Sequence, residues 1–247
     1  MSQQITTDRP RRLPIPRSRR LVIDLMWLRE QVPTTAHDRI TDLNAVTAAR
    51  EQAGQRIAWP VLFIKAFGIV SLKYPPLRQI FMRWPWSHLY QHPSSAATVV
   101  THNPETQPLT VLQKDLDRYQ TRPVELAFHR QWWLSACPAW LRRIAWWLTL
   151  HVSGETRVRR CGTFVLTTIG SRGAEIQHPP GFLTGNLTFG PFDERGRSRV
   201  TLAYDHRLLD GRMVADILSD LEQTLNGVIA EELAAIPANK KSERLAA

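Results

Sequence analysis

Cysteine is scarce in this chain: Cys137 and Cys161 are the only two among 247 residues. They share no local pattern, so neither a disulfide framework nor C-x-x-C metal spacing is indicated. The first dozen residues, M-S-Q-Q-I-T-T-D-R-P-R-R, lack the apolar core of a secretory signal. A reducing cytoplasm is the compartment that fits. Also lacking is an apolar run of the roughly 20 residues that a membrane-spanning helix needs. The nearest approach, Gln131 to Leu150, is interrupted by Pro138 and by Arg142 and Arg143. There is no G-x-S-x-G elbow to support a covalent acyl-enzyme, and no internal repeat. His88 and His92 stand four apart, but Pro85 and Pro93 argue against the regular helix that would make them a ligand pair, so no metal is expected.

Acidic residues are the scarcer charge, 22 against 32 Lys plus Arg, for a net +10. Half of that excess lies in residues 1–20, where Arg9, Arg11, Arg12, Arg17, Arg19 and Arg20 face only Asp8. A basic arm of this kind suits nucleic acid, an anionic membrane or another subunit. No nucleic-acid motif follows it, which argues against the first.

The length fits one large α/β domain. Residues 19–29 read as a first helix, 34–43 as an exposed strand, and Asp42 as the N-cap of a short helix. Trp59 to Lys73 is almost wholly apolar and reads as a buried helix with Pro60 in its first turn. Lys65, the only charge before its last residue, either snorkels to the surface or meets an anionic donor. Residues 77–94 read as irregular, 96–101 as a strand, and 111–128 as a helix. Gln131 to Leu150 holds five of the nine tryptophans. A helix from Pro138 would bury Trp140, Ile144, Trp147 and Leu148 on one side and leave Trp146 or Leu141 to be covered. Core or subunit interface is the plain reading; contact of 131–150 with a membrane surface or a long acyl chain is the sharper one. A strand over Gly162–Ile169, another over Asn186–Phe192 and a turn at Asp193–Gly196 lead to the most informative stretch.

Arg197 to Tyr204 alternates as a strand, and Met213, Val214, Ile217, Leu218, Leu221 and Leu225 recur at helical spacing. Between them lies D-H-R-L-L-D-G, residues 205–211. His206 thus sits where a strand gives way to a helix, a place that is fixed by packing yet open at its tip, as a general base requires. Gly211 is expected to allow the bend into the helix.

This segment resembles the D-H-R-x-x-D-G signature of the catalytic domain of 2-oxoacid dehydrogenase dihydrolipoyl acyltransferases, and is similar to the H-H-x-x-x-D-G motif of chloramphenicol acetyltransferase. G-T-F-V-L-T-T-I-G, residues 162–170, resembles the same family's G-T-F-T-I-S-N-L-G strand. Fainter matches are V-P-T-T (32–35), F-I-K-A (63–66) and P-I-P-R-S-R-R (14–20). The resemblance implies an α/β two-layer sandwich with a mixed sheet, a domain over 21–230 between the basic arm and a polar tail at 231–247, and no lipoyl or subunit-binding module. It implies acyl transfer from a CoA or acyl-carrier thioester to a thiol, hydroxyl or amine, without a metal. His206 would be the base and Thr167, where relatives carry Ser, the oxyanion donor. Thr168 stands where Asn is usual, and Asp210 would hold local structure through an ion pair with an arginine such as Arg20 or Arg19. The family's trimers, which place the base and the hydroxyl on different subunits, imply a homotrimer or an assembly of trimers. Two other readings stay open: a non-catalytic scaffold of the same fold, and a membrane-surface module led by the arm and the tryptophan segment. The latter would place the cytoplasmic protein at the membrane periphery.

Overall fold

A computed structural model describes residues 14–98 and 101–237. The described elements run α1 (Arg17–Arg29), β1 (Thr34–Asp42), α2 (Asn44–Gln52), α3 (Trp59–Lys73), β2 (Gln79–Met82), β3 (His88–Gln91), β4 (Ala96–Ala97) and β5 (Thr101–His102). There follow α4 (Leu109–Thr121), α5 (Val124–Ala127), α6 (His129–Leu134), α7 (Ala139–His151), α8 (Gly154–Cys161), β6 (Phe164–Thr167), β7 (Gly185–Phe192), β8 (Arg197–Asp205), α9 (Gly211–Thr224) and α10 (Ala230–Ala234). Six strands form one mixed sheet in the order β1-β8-β7-β6-β4-β5, parallel where β6 meets β7 and β4, and β2 pairs with β3 in a separate hairpin. This is the expected α/β fold with helices packed on a mixed sheet.

Alternation sorts the strand residues onto two sides. Phe164, Leu166, Leu187, Phe189, Val200, Leu202 and Tyr204 point to the side covered by α3 and α9, where they join Phe63, Phe67, Ile217 and Leu221 in the main core. The opposite side carries Val165, Thr167, Asn186, Thr188, Thr201 and Ala203, and its apolar cluster is small: Leu28, Leu150, Cys161 and Leu183, with Trp27, Trp146 and Phe182 beside them.

Several expectations are revised. The segment 77–94 holds the β2–β3 hairpin; each strand is only four residues long, too short for alternation to announce itself. Leu43, not Asp42, precedes α2 as its cap, while Asp42 accepts from the Asn44 N–H at 2.9 Å. The helix expected over 111–128 is two, α4 and α5, with Pro123 between them. Lys65 does not snorkel: it is buried and ion-paired with Glu232. That partner belongs to α10, reached when α9 continues through a π turn at Leu225–Ile229, so helix runs past the boundary expected at 230. Most of the polar tail and residues 1–13 of the arm lie outside the described residues.

The face of α7 is inverted relative to expectation. Trp140, Ile144, Trp147 and Leu148 are exposed, whereas Arg142, Thr149, Leu150 and His151 are buried. The cause is an ion pair: the Arg142 guanidinium donates to both oxygens of Asp24 on α1, at 2.7 and 3.0 Å, and to the Cys137 carbonyl at 2.9 Å. A buried bidentate fork of this geometry fixes which side of the helix faces inward, and apolar periodicity alone does not reveal it.

Candidate active site

His206 follows the last residue of β8, at a turn held from several directions. Its backbone N–H donates to the Pro33 carbonyl at 3.0 Å, the Asp205 N–H donates to the Thr184 carbonyl at 3.1 Å, and the Leu208 and Leu209 N–H groups return to the Asp205 carbonyl. Asp205 is buried and takes a fork from Arg207, Nε to Oδ1 at 2.8 Å and Nη2 to Oδ2 at 2.6 Å, as well as the Arg207 N–H. The Arg207 guanidinium lies over the Phe81 ring at 4.4 Å. The backbone is therefore clamped while the His206 side chain is exposed, tilted against Tyr204 with ring centroids 5.6 Å apart. Among the described residues its imidazole has no hydrogen-bond partner within the chain.

Asp210 is placed differently from expectation. It is exposed and caps α9, accepting from the Met213 N–H at 2.9 Å, and it has no arginine partner among the described residues. Arg20 instead donates to the Ser135 carbonyl at 3.2 Å. The carboxylate of D-H-R-x-x-D-G that takes an arginine is Asp205. Gly211 does not serve a left-handed bend, since its φ is not positive; a Cβ there would lie 3.2 Å from the His37 ring, a tight contact. His37 of β1 stacks on Tyr204 at 5.6 Å and meets its hydroxyl at 3.1 Å. Burial and the nearby Asp210 raise the Tyr204 pKa. Neither His37 nor Tyr204 was picked out in the sequence, where each is one residue of an alternating strand.

Thr167 closes β6, half-buried, on the same side of the sheet as Val165. Thr168 is a local brace: its hydroxyl donates to the Phe189 carbonyl at 2.8 Å and accepts from the Gly170 N–H at 3.1 Å. Thr167 is level with Thr188 of β7, and Thr188 with Thr201 of β8. His206 lies five residues further on, so at about 3.3 Å per residue and about 4.8 Å per strand the two Cα atoms are roughly 19 Å apart in one chain. His206, Asp210 and Gly211 come together; Thr167 and Thr168 form a separate place, and Arg20 a third.

On the side of the sheet that Thr167 shares with Val165 is an apolar cavity of about 450 Å³ walled by α1, Trp146, Cys161, Val165, Phe182 and Asn186; Thr167 itself does not line it. The Asn186 amide is fully buried, and neither its oxygen nor its nitrogen has a partner among the described residues; the same holds for Trp146 Nε1 and Thr188 Oγ1. Gly181 passes directly over Asn186, leaving no room for a Cβ. Burial pushes the Cys161 thiol up to about 11, which removes it as a nucleophile at neutral pH. Next to Arg207, a pocket of about 20 Å³ collects Arg83, His151 and Arg157. Arg157 donates to the carbonyls of Phe81, Leu150 and Phe182, and burial lowers its pKa to about 10. Among the described residues no three His, Cys, Asp or Glu side chains gather as a metal site.

No protein-family model matches the chain, and no curated protein is similar to it in sequence. Solved structures are similar. A probable dihydrolipoamide acetyltransferase from Listeria monocytogenes superposes with TM-score 0.62 at 15% identity, over 89% of this chain and 95% of that one. The Azotobacter vinelandii dihydrolipoamide acetyltransferase, studied for the role of a serine, a histidine and an asparagine in its mechanism, gives 0.63 at 14% over 93% and 97%. A chloramphenicol acetyltransferase gives 0.49 at 10% over 86% and 96%. The chain thus has the fold of dihydrolipoamide acetyltransferase catalytic cores.

Proposed function

We propose that this protein is an acyltransferase that moves an acyl group from a CoA or acyl-carrier thioester to a thiol, hydroxyl or amine. The observation that carries the proposal is His206: an exposed imidazole, without a partner among the described residues, on a backbone clamped by Pro33, Thr184 and the Asp205–Arg207 fork. The fold supports the reading, because acetyltransferases share it. The Azotobacter enzyme's histidine and asparagine are four positions apart, as are His206 and Asp210.

In this mechanism a neutral imidazole nitrogen of His206 takes the proton of the acceptor as its heteroatom attacks the thioester carbonyl. The oxyanion that forms accepts a hydrogen bond from the Thr167 hydroxyl. The carbon–sulfur bond then breaks, and the imidazolium returns the proton to the departing thiolate. Arg207 and Asp205 do not touch the reacting atoms; they hold the turn. The apolar cavity lined by Val165, on the same side of the sheet as Thr167, suits a hydrophobic acceptor or acyl chain, with Asn186 and Trp146 Nε1 offering hydrogen bonds inside it.

The wide separation of His206 and Thr167 within one chain supports a site shared between subunits of a homotrimer. One experiment tests both parts. His206→Ala and Thr167→Ala should each lower turnover on acyl-CoA, the first by a factor on the order of 10² to 10⁴. Co-assembled in equal amounts, the two variants should recover about one quarter of wild-type turnover, because that share of interfaces pairs an intact His with an intact Thr. Unchanged turnover in His206→Ala ends its assignment as base; the absence of recovery in mixtures ends the shared site.

A further inference from the structure

The surface built from α7 and the tip of the β2–β3 hairpin is unlike the rest of the molecule. Trp84, Trp86 and Trp140 are 53%, 72% and 64% exposed. Trp140, Ile144, Trp147 and Leu148 recur along α7 at the spacing of one helical stripe, and all are exposed. Trp84 meets Trp147 edge to face at 6.4 Å, which joins the hairpin tip to that stripe. Trp27 of α1 carries the Arg143 guanidinium over its ring at 5.2 Å.

The two stretches that supply this surface carry charge of one sign. No Asp or Glu occurs anywhere from Gln52 to Pro104, or from Leu126 to Gly154, the two stretches that supply the hairpin and α7. Arg83, Arg130 and Arg143 lie within them. Inward of the stripe, the only carboxylate engaged by α7 among the described residues is Asp24, already consumed by Arg142.

We propose that this face docks on an anionic lipid surface. Tryptophan is the side chain suited to the boundary between headgroups and acyl chains, where its ring is buried and its N–H stays wet. Arginine flanking an apolar stripe adds attraction to anionic headgroups. A second copy of the chain is a poorer occupant, because a self-complementary contact would set these arginines against their own copies, and neither the hairpin nor α7 supplies a carboxylate to offset them. A cavity of about 550 Å³ adds an argument for lipid: Trp133 and Leu148, both exposed, line it together with Leu134, Trp146, Arg130 and Arg159. An apolar floor with guanidiniums around it accepts the chain and headgroup of an anionic amphiphile. The docking inference stands apart from the acyl-transfer reading, since neither His206 nor Thr167 takes part.

The test is flotation of the full chain with vesicles of phosphatidylcholine alone and with about one-third phosphatidylglycerol. The wild type should float with the anionic vesicles, and less so as salt is raised. The double variant Trp86→Ala, Trp140→Ala should bind at least about tenfold more weakly while keeping its melting temperature and its turnover on soluble acyl-CoA. Should the double variant fail to fold, Trp86→Ala alone, on the hairpin tip, should show a loss of about threefold. A wild type that stays at the bottom of the gradient overturns the proposal. So does a folded variant that floats as well as the wild type, which would assign binding to another part of the chain. An assembly that falls apart in the double variant, with no flotation of the wild type, would make this face a contact between copies and overturn the proposal as well.

Discussion

The two sides of the sheet are built by opposite rules. Toward α3 and α9, β6, β7 and β8 turn Phe164, Leu166, Leu187, Phe189, Val200 and Leu202 inward, and Phe63 stacks on Phe189 at 4.3 Å while Phe67 meets Phe164 at 4.7 Å. Toward α1 and α7, the same strands present Thr167, Asn186, Thr188 and Thr201, the apolar cluster is small, and a cavity remains beside it. A filled side supplies stability, because each buried side chain contributes transfer and dispersion energy. A half-filled side gives that up for space and for hydrogen-bonding groups that a ligand can meet.

The largest effect should come from breaking the filled side. Phe67→Ala removes a fully buried ring and should cost about 3 to 5 kcal/mol, lowering the melting temperature by on the order of ten degrees. Turnover per folded molecule should survive, and calorimetry alongside an acyl-transfer assay checks both. A loss of less than about 1 kcal/mol would erase the contrast between the sides.

On the other side a smaller, pH-dependent effect is expected from His151. Burial and the charges of Arg157, Arg83 and Arg207 hold its pKa down at about 4, whereas an unfolded histidine titrates near 6.5. The folded state therefore keeps His151 neutral in a range where the unfolded chain takes up a proton. Its contribution is complete above about pH 6.5 and is lost as pH falls toward 4. His151→Leu should flatten the decline of melting temperature over that interval; an identical decline in both proteins would mean His151 does not drive it.

The smallest effect is expected from Asn186→Leu. Its amide is buried without a partner among the described residues, so an apolar side chain of similar size should leave stability within about 1 kcal/mol of wild type or raise it. A loss of about 3 kcal/mol would show that the amide is satisfied in solution and that this side is as well made as the other.

The same contrast explains what could be read in advance. The filled side was legible because its strands alternate and α9 repeats at helical spacing, and D-H-R-x-x-D-G marked the junction between them. The other side was not. Arg142 looks like a surface residue until Asp24, 118 positions away, is brought to it, and that one pair turns α7 so that the tryptophans face outward. At the junction, the motif named the right residues but not their partners: Asp210 caps a helix, while Asp205 holds the arginine. Which carboxylate pairs with which guanidinium depends on chain direction at a turn, and spacing does not carry that information.

The pairing of β1 with β8 also sets a clock. Thr34 lies opposite Asp205 and Asp42 opposite Arg197, so the strand waits for partners some 160 residues downstream. At about 5 to 20 residues per second on a ribosome, that wait is on the order of 8 to 30 s. Throughout it the Pro33 carbonyl that steadies His206 has nothing to hold, and any nascent or truncated chain that stops before residue 197 keeps both edges of β1 open. The turn that carries His206 thus comes into being only after α1 to α8 and β1 to β7 have been made, while α9 and α10, which complete the main core, are still to follow.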